Sequence, residues 1–321
     1  MKALALESFE GGPEVLDVPD PVAGPGEVLV RVRAASLNAF DVAVAAGYMK
    51  DFMPYEFPAV IGSDLAGRVE AVGDGVEDLE VGARVFGMMG MKGAIHDGSF
   101  GELANPTAAS IASAPEGLSD PEAGSLGVAG TTAMSAVEAV GPSEGTMVLI
   151  VGATGGVGSF AIQLAALRDA HVIASVRPGD EDFVTGLGAA ETVDYTGDVV
   201  ADMRRRHPNG IDAVIDAVNR DQGAFAGMVA LVRNGGRAAS VVGGAGEATE
   251  IGGVAVSNVG GNPKHLTDLA DLVVKGQLRV AIRRTYSLAD TAQALHDFAK
   301  EHTLGKLVIT MSKGQAPRPL A

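Results

Sequence analysis

The stretch Val148-Leu149-Ile150-Val151-Gly152-Ala153-Thr154-Gly155-Gly156-Val157-Gly158 decides how this chain folds. Four β-favouring residues run into a glycine cluster, and residues 160–167 then continue with helical character. An apolar strand of this kind is typical of a parallel sheet, because helices cover both of its faces. Glycines at every third position suit a sharp turn, the close approach of a pyrophosphate to the main chain, and tight packing of helix on strand. The stretch therefore predicts a dinucleotide-binding turn.

Glycine spacing alone is a weak signal here, because it is Gly-x-x-Gly-x-x-Gly and not the commoner Gly-x-Gly-x-x-Gly. The strand before it and the helix after it make the signal more specific. Free N–H groups and the positive end of a helix beginning near Gly156 would face the phosphates. A tight turn without a ligand is the alternative. The predicted phosphate-binding residues are Gly152, Ala153, Thr154, Gly155, Gly156, Val157 and Gly158.

Composition limits the class of protein. At 321 residues the chain can form two domains with a sizeable core, and 44 glycines with only 4% aromatic residues favour an α/β protein. The formal charge of −16 argues against nucleic acid and anionic membranes as partners, because both are bound by clustered Lys and Arg. The absence of cysteine excludes disulfides and thiolate zinc sites. No apolar run approaches the roughly 20 residues that span a bilayer, so a cytoplasmic protein is expected.

Three stretches of different character follow one another along the chain. Residues 1 to about 115 contain short strands punctuated by glycine, which predicts a small barrel or a pair of sheets. From about residue 120, repeated βαβ units imply a parallel, doubly wound sheet with right-handed crossovers. After Pro263 an amphipathic helix, a strand, another helix and a last strand follow. The predicted fold class is α/β, with a β-rich part and a doubly wound parallel sheet.

The strand after the glycine turn indicates which nicotinamide cofactor is used. In NAD enzymes this strand usually ends in an acid that binds the ribose 2′-hydroxyl, whereas an arginine accommodates a 2′-phosphate. Here the strand ends at Ser175-Val176-Arg177, and the first acid is Asp180. Ser175 can donate a hydrogen bond and Arg177 a bidentate pair, which predicts NADPH in preference to NADH. The alternative is that Arg177 is an ordinary exposed arginine.

Several motifs spread along the chain are those of one known family. With them, the chain resembles the zinc-independent, zeta-crystallin-like NADPH:quinone oxidoreductases of the medium-chain dehydrogenase/reductase superfamily, over nearly its whole length. The matching segments are Ser36–Asp41, Phe57–Gly67, Val72–Val76, Val81–Gly87, Ala129–Ala133, the glycine turn at 152–158 and Leu304–Val308.

This resemblance implies a domain organisation. Residues 1–120 with 262–321 would form a GroES-like catalytic domain, and residues 121–261 a Rossmann NADP-binding domain. The active site would lie in the cleft between them, commonly in a homodimer.

The resemblance also bears on metal chemistry. Zinc-dependent relatives carry Cys where Asn38 stands and His where Ser63 stands, and both Asn and Ser are poor zinc ligands. The six histidines show no ligand spacing. We therefore predict no metal, which disfavours alcohol oxidation of the zinc type. Hydride delivery to a quinone or to a C=C bond beside a carbonyl remains, because the charge of the product is delocalised and the protein needs to supply only orientation and hydrogen bonds.

Individual roles follow from positions shared with the family. Asn38 would bind the nicotinamide ribose or the substrate oxygen, and Tyr48 matches a cleft tyrosine that donates a proton in related enoyl reductases. The alternatives are that Asn38 bonds loop backbone and that Tyr48 only shapes the cleft wall. The remaining predicted cofactor contacts are Thr132 near the nicotinamide, Tyr195 near the adenine-ribose phosphate, and Val218, Val242 and Gly243.

Two acids near these positions are expected to be structural. Asp41 and Asp64 would bond backbone groups or Arg84 instead of taking part in catalysis.

Three functions fit the sequence. The leading one is an NADPH-dependent reductase of a quinone or activated enone, a small-molecule substrate. An acyl-thioester enoyl reductase is the second, although the acidic surface opposes the basic entrance that a phosphopantetheine chain prefers. A non-catalytic NADPH-binding scaffold or sensor is the third.

Overall fold

A computed structural model describes residues 1–90 and 93–311. The end of the predicted C-terminal return, residues 312–321, lies outside the described residues. The strands among the described residues are, in chain order, β1 Lys2–Leu6, β2 Glu14–Asp17, β3 Val28–Ser36, β4 Ala59–Val60, β5 Asp64–Val72, β6 Arg84–Met88, β7 Leu103–Ala104, β8 Ile111–Ser113, β9 Met147–Val151, β10 His171–Val176, β11 Glu191–Asp194, β12 Ile211–Asp216, β13 Val232–Ser240, β14 Glu250–Ile251, β15 Val254–Asn258, β16 Ile282–Ser287 and β17 Lys306–Thr310.

The helices are mostly short. They are α1 Ala39–Ala45, α2 Asp120–Ala123, α3 Val128–Val140, α4 Gly156–Ala166, α5 Glu181–Thr185, α6 Val199–Arg206, α7 Gln222–Val229, α8 Leu266–Val274 and α9 Thr291–Lys300, with 3-10 turns at Ala108–Ser110, Pro263–His265 and Leu288–Asp290. In the part of the chain that the structure describes, no helix has the length and apolar character needed to cross a membrane.

The chain divides into two compact units. The first contains Met1–Val128, Pro263–Lys275 and the segment from Ile282 onward, and the second contains Ala129–Asn262 with Gly276–Ala281.

The first unit is built on two sheets. β2, β1 and β4 form a three-stranded sheet, and β16-β17-β3-β5-β6-β8 form a larger sheet in which β7 also pairs with β3. β3 runs antiparallel to both β5 and β17, so the end of β3 lies beside the beginnings of the other two strands. Buried aliphatic side chains such as Val30, Leu65 and Ile309 form one core across these strands. The polar residues at the shared strand end are therefore brought together by the topology.

The second unit is a doubly wound sheet in the order β11-β10-β9-β12-β13-β15-β14. All neighbouring pairs in it are parallel except β14 with β15. The strand order reverses between β9 and β12, and in such sheets ligands bind at the carboxyl ends of the strands beside this switch point. β9 is apolar on both faces because helices cover both sides of the sheet. The fold class predicted from the sequence, a GroES-like β-rich part plus a Rossmann parallel sheet, is confirmed.

The glycine-rich region around residues 243–261 contains an element that the sequence pattern did not predict. β14 and β15 pair as an antiparallel hairpin across Gly252 and Gly253, whose φ angles are +57° and +82°. Residues with a side chain rarely adopt such angles, so glycine is needed to close this short turn. The hairpin adds an antiparallel edge to the parallel sheet.

Candidate active site

The predicted glycine turn joins β9 to α4, and the backbone requires glycine at two of its three spaced positions, Gly152 and Gly158. Gly152 has a φ angle of +80°, in the left-handed region that favours glycine. Gly155 precedes the first residue of α4, and its N–H donates to the Gly152 carbonyl at 3.1 Å. A Cβ on Gly158 would lie 2.2 Å from the Gly152 oxygen, so only glycine allows the helix to pack this closely on the turn. The turn is thus held in one shape.

This turn fits the diphosphate of a nicotinamide dinucleotide. α4 has 11 residues and begins at Gly156, and the first N–H groups of a helix have no acceptor within the helix. Those groups and the positive end of the helix dipole favour an anion. The first turn of α4 contains no acidic residue that would repel it. A Cβ at Gly155 would meet only the Gly152 oxygen at 3.4 Å, which leaves the outer side of the turn open for a phosphate.

The tip of β10 lies beside the glycine turn. The Ser175 hydroxyl, in a side chain only 1% exposed, accepts a hydrogen bond from the Gly152 N–H at 3.1 Å. Ser175 therefore braces the turn from the neighbouring strand. Arg177 is about half exposed and donates through Nε to Asp180 Oδ2 at 3.1 Å, so a bound phosphate would share the guanidinium with that carboxylate. Tyr195 follows β11, and its backbone N–H donates to the Val176 carbonyl at 2.9 Å, next to the same tip.

The other predicted cofactor residues of this unit follow neighbouring strands. Val218 lies over the turn, since a Cβ on Gly152 would meet Val218 Cγ2 at 2.7 Å. Its position is fixed by Asp216 Oδ1, which accepts from the Val218 N–H at 2.9 Å. Val242 and Gly243 follow β13 at the carboxyl edge of the sheet, and Gly243 has a φ angle of +86°. Thr132 is buried within α3.

In the first unit, Asn38 lies at the centre of a buried polar cluster. Asn38 follows β3 and precedes α1, and its side-chain Oδ1 accepts from Lys306 Nζ at 2.7 Å. Its Nδ2 donates to Asp64 Oδ2 at 2.9 Å and to the Ser36 carbonyl at 3.4 Å. Both N–H groups of the carboxamide are therefore used, and Oδ1 retains one further lone pair. The side chain can still accept a hydrogen bond but has no donor left to give.

Asp64 and Lys306 form the charged pair of this cluster. Asp64 Oδ1 accepts from the Val128 N–H at 2.6 Å, and Oδ2 accepts from Ser36 Oγ at 2.7 Å. Lys306 Nζ lies 3.6 Å from Asp64 Oδ2 and donates to the Leu37 carbonyl at 2.9 Å. Burial lowers the pKa of Lys306, while the charges of Asp64 and Asp41 oppose that shift. Each charged group of the pair has hydrogen-bond partners, which offset part of the cost of burying the two charges.

Asp41 lies in the same cluster but has different partners. Its Oδ2 accepts from the Asn38 N–H at 2.8 Å, and its Oδ1 accepts from Ser63 Oγ at 2.5 Å. Burial raises the pKa of Asp41 to about 7, helped by the negative charge of Asp64 and opposed by the hydrogen bonds from Ser63 and Asn38 and by Lys306. Asp41 is thus a carboxyl group that titrates near neutral pH.

Of the two kinds of partner expected for Asp41 and Asp64, backbone groups or Arg84, the structure shows backbone groups. Asp41 and Asp64 each accept from a backbone N–H, as expected. Arg84 instead pairs with Asp120 at 2.7 Å and donates to the carbonyls of Leu118 and Pro115. The reason is that β6 begins at Arg84, whereas the polar cluster lies at the beginning of β5 and β6 runs antiparallel to β5, so Arg84 is at the far end of the strand pair.

Lys306 is the cluster residue that sequence reasoning did not single out as functional. It occurs in the matching segment Leu304–Val308, but its role there was not identified. A signal was present, because a lysine opens the otherwise apolar strand Lys306-Leu307-Val308-Ile309, and a fully buried lysine is rare unless it is paired.

Tyr48 lies just after α1 in a turn near three aromatic rings. Its side chain is 73% exposed, and its backbone N–H donates to the Ala43 carbonyl at 2.9 Å. The ring of Phe9 lies against the preceding Gly47, and it contacts Tyr55 and Phe57 edge-on with centroids 4.9 and 5.0 Å away. The phenol is available to a ligand at the surface of this unit.

Two family models match the chain. One is described as the alcohol dehydrogenase GroES-like domain and matches residues 24–116; the other is described as zinc-binding dehydrogenase and matches residues 187–309. Together with the β-rich first unit, the doubly wound sheet of the second unit and the glycine turn, they define the architecture of a medium-chain dehydrogenase/reductase.

Similar proteins indicate which family of this superfamily the chain belongs to. The chain is 33% identical over 228 residues to the chloroplast envelope quinone oxidoreductase homolog of Arabidopsis thaliana, covering 68% of each chain. It is 34% identical over 245 residues to the 2-methylene-furan-3-one reductase of Solanum lycopersicum, covering 74% of this chain and 61% of that one. The structure of the quinone oxidoreductase from Coxiella burnetii superposes with a TM-score of 0.84 at 27% identity, covering 97% of this chain and 99% of that one. The chain belongs to the quinone oxidoreductase family of the medium-chain dehydrogenases/reductases. It is an oxidoreductase of the kind that uses a nicotinamide cofactor.

The residues at the zinc-ligand positions do not fit zinc. Asn38 has its carboxamide committed to Lys306 and Asp64, and the Ser63 hydroxyl donates to Asp41. An amide and a serine hydroxyl are also weak donors to Zn²⁺ compared with thiolate and imidazole. Within residues 1–90 and 93–311, no group of three or more His, Asp or Glu side chains is arranged to hold a metal ion.

Proposed function

We propose that this protein is an NADPH-dependent reductase that transfers hydride to a quinone or to an activated enone. The proposal is supported by the glycine turn and by the residues at the tip of β10 beside it. Arg177 directly follows β10, and the first acidic residue after the strand is Asp180. The bound cofactor would supply the hydride. The chain's own residues would bind that cofactor, orient the substrate and stabilise the oxyanion that forms.

The phosphates of NADPH would be held by two groups of residues. The N–H groups of Gly156, Val157 and Gly158 would bind the diphosphate at the start of α4. Arg177 would bind the 2′-phosphate, because a guanidinium and a phosphate form charge-assisted hydrogen bonds. Ser175 supports this arrangement by fixing Gly152, and a direct contact between Ser175 and the phosphate stays a prediction.

Replacing Arg177 tests the cofactor preference. A charge-assisted hydrogen bond is worth about 1.5–3 kcal/mol, so Arg177→Ala should weaken NADPH binding by about 10- to 100-fold and leave NADH binding nearly unchanged. Dissociation constants from nicotinamide fluorescence give both values. The matched control is Arg205→Ala, which removes an exposed arginine that pairs with Asp202. Equal weakening of both cofactors would refute the role of Arg177.

The geometry of Asn38 favours one of its two predicted roles. A substrate carbonyl needs a hydrogen-bond donor, but both Asn38 N–H groups are used by Asp64 and Ser36. Its Oδ1 can accept a second hydrogen bond in addition to that from Lys306. We therefore assign Asn38 to a hydroxyl of the nicotinamide ribose. Tyr48, with an exposed phenol, is assigned to a hydrogen bond with the substrate oxygen.

The substrate class is supported by the chemistry of the site and by the relatives. Quinones and enones accept hydride without a Lewis acid, and the cluster offers Asn38 and Ser63 where zinc enzymes have ligands. One similar protein is named for a quinone and another for a methylene-furanone, which contains a C=C bond beside a carbonyl.

Turnover with substrate panels tests this proposal. We expect NADPH oxidation with 9,10-phenanthrenequinone or with a small exocyclic enone, followed by absorbance of the nicotinamide. Tight NADPH binding without turnover on any quinone or enone would favour a sensor, and turnover only on acyl-thioester enoyl substrates would favour the other reductase class. We also propose that the enzyme is a homodimer, which its mass in solution will test. A cytoplasmic location stays a prediction.

A further inference from the structure

The buried cluster of the first unit contains one more carboxyl group than ammonium group. Asp64, Asp41 and Lys306 are each at most 2% exposed. Asp64 receives hydrogen bonds from Ser36, Asn38 and the Val128 N–H and lies 3.6 Å from Lys306, so it is the better compensated carboxylate. Among the described residues, no cation forms an ion pair with Asp41. One ammonium balances one carboxylate, and Asp41 is the group left to hold a proton.

The contacts of Asp41 show which oxygen would carry that proton. Oδ2 accepts from the Asn38 N–H at 2.8 Å, and this donor keeps Oδ2 an acceptor. Oδ1 lies 2.5 Å from Ser63 Oγ, and a hydroxyl is able to accept as well as donate. A proton on Oδ1 would therefore be shared with Ser63. The raised pKa of Asp41, caused chiefly by burial, is consistent with a proton held there near neutral pH.

Ser63 links this buried carboxyl group to the surface of the unit, because Ser63 itself is only partly buried. When Asp41 is ionised, the Ser63 O–H must point inward to it. When Asp41 is protonated, Oδ1–H donates to Ser63 Oγ, and the Ser63 proton is free to point outward. The direction of this one hydrogen bond thus depends on the proton of Asp41.

We infer that Asp41 and Ser63 form a proton relay that delivers a proton to the reduced substrate. The inference rests on the proposed function, in which hydride from reduced nicotinamide leaves an oxyanion on a quinone or enolate oxygen. A bond forms between that oxygen and the Ser63 proton as the Ser63 O–H bond breaks. The Asp41 O–H bond then breaks as the Ser63 O–H bond forms again. Asp41 is left as a carboxylate and regains its proton from water.

Two charged groups face Asp41 from other strands and set its behaviour. Asp64, at the beginning of β5, disfavours ionisation of Asp41, and Lys306, at the beginning of β17, favours it. Lys306 therefore stabilises the carboxylate that remains after the proton has left. In this relay Ser63 is the catalytic residue, because it is the group that would donate to the substrate oxygen, and Asp41 acts through it.

Infrared spectroscopy of the cofactor-free protein tests the buried proton directly. The wild type should show the carbonyl stretch of a protonated carboxyl group that fades as the pH rises through about 7. Asp41→Asn should lack this band, and Ser63→Ala should shift it to higher frequency because the Oδ1–H···Oγ hydrogen bond is lost. The control Asp17→Asn, at an exposed position, should keep the wild-type band. A band that survives Asp41→Asn would overturn the assignment.

Turnover of the loaded enzyme tests proton delivery. Positioned acid–base groups contribute about 10²-fold or more, so Ser63→Ala should lower kcat by about 10²-fold while the NADPH dissociation constant stays the same. Ser63→Thr, which keeps the hydroxyl, should restore most of the rate. Wild-type kcat should fall as the pH rises through neutrality, and Asp41→Asn should be slow and without this dependence. Ser110→Ala, which removes a buried hydroxyl paired with Thr107, is the matched control.

The outcomes separate the relay from the proposed function. If the wild type turns over its substrate and Ser63→Ala has the same kcat, the relay is overturned. The proposed reductase activity is not affected by that result. If none of the quinones or enones tested supports NADPH oxidation by the wild type, the proposed reductase activity is overturned. The proposed proton delivery is then overturned with it, whatever the infrared band shows.

Discussion

Removing the charge of Asp41 should change how the stability of the protein depends on pH. The pKa of Asp41 is raised from 3.8 to about 7 by burial, so the folded protein keeps a proton that the unfolded chain has lost between these values. Stability therefore falls as the pH rises through this window. Each pH unit in it removes about 1.4 kcal/mol from the free energy of unfolding, which gives about 2 kcal/mol between pH 5.5 and pH 8.

Asp41→Asn is the perturbation that isolates this effect. The asparagine oxygen can accept from the Asn38 N–H, and its amide can donate to Ser63 Oγ, as the protonated carboxyl group does. The free energy of unfolding of the variant, relative to that of the wild type, should be about 2 kcal/mol higher at pH 8 than at pH 5.5. Other titrating groups contribute equally to both proteins and cancel in this comparison.

Urea denaturation followed by tyrosine fluorescence measures this difference. Tyr48, Tyr55 and Tyr286 all lie in the first unit, so the signal reports mainly on the unit that contains Asp41. Asp17→Asn, which removes an exposed charge from β2, should follow the wild type at both pH values. A stability difference between Asp41→Asn and the wild type that is the same at pH 5.5 and pH 8 would refute the reasoning.

Three further predictions concern Lys306, Gly158 and Glu191. Lys306→Met leaves Asp64 buried without its counter-charge and should lower the free energy of unfolding by about 3–5 kcal/mol. The double variant Lys306→Met/Asp64→Asn should recover part of this loss, because the unpaired charge is removed; urea denaturation measures both variants. Gly158→Ala places a Cβ 2.2 Å from the Gly152 oxygen and should weaken NADPH binding, as measured by nicotinamide fluorescence. The control Gly227→Ala, where a Cβ meets nothing within 4 Å, should bind NADPH as the wild type does. Burial raises the pKa of Glu191, but hydrogen bonds from His171 and His207 and their charges lower it more, so the net pKa is lowered. The stability that Glu191 contributes is present above 4.5, its ordinary pKa, and is lost as the pH falls from there through the lower folded value. Glu191→Gln should therefore lose less stability than the wild type as the pH falls below 4.5, and an equal loss in calorimetry would contradict this.

The cofactor turn is the part of the site that the sequence described best. A strand, a turn and the beginning of a helix are consecutive in the chain, and the demands on Gly152 and Gly158 are local backbone demands. The β9–α4 unit therefore appears where the pattern predicts it. The hairpin of β14 and β15 was not predicted, because the glycines that close its turn are also typical of irregular loops.

Local sequence could not decide what the side chains beyond that turn contact. Ser175 lies at the end of β10 as predicted, but the Gly152 N–H from which it accepts is 23 residues earlier in the chain. Arg84 was a plausible partner for the two acids by charge alone, yet the direction of β6 places it beside Asp120.

The sequence by itself determined the two sheet types, the nucleotide-binding turn and the family, because each depends on residues that are close in the chain or on motifs that recur in order. Only the tertiary structure decided that Asn38, Asp41 and Ser63 share a cluster with Lys306, a residue 268 positions after Asn38. The physical reason is that antiparallel pairing of β3 with β5 and β17 brings one end of each strand together, and burial there changes the protonation of Asp41.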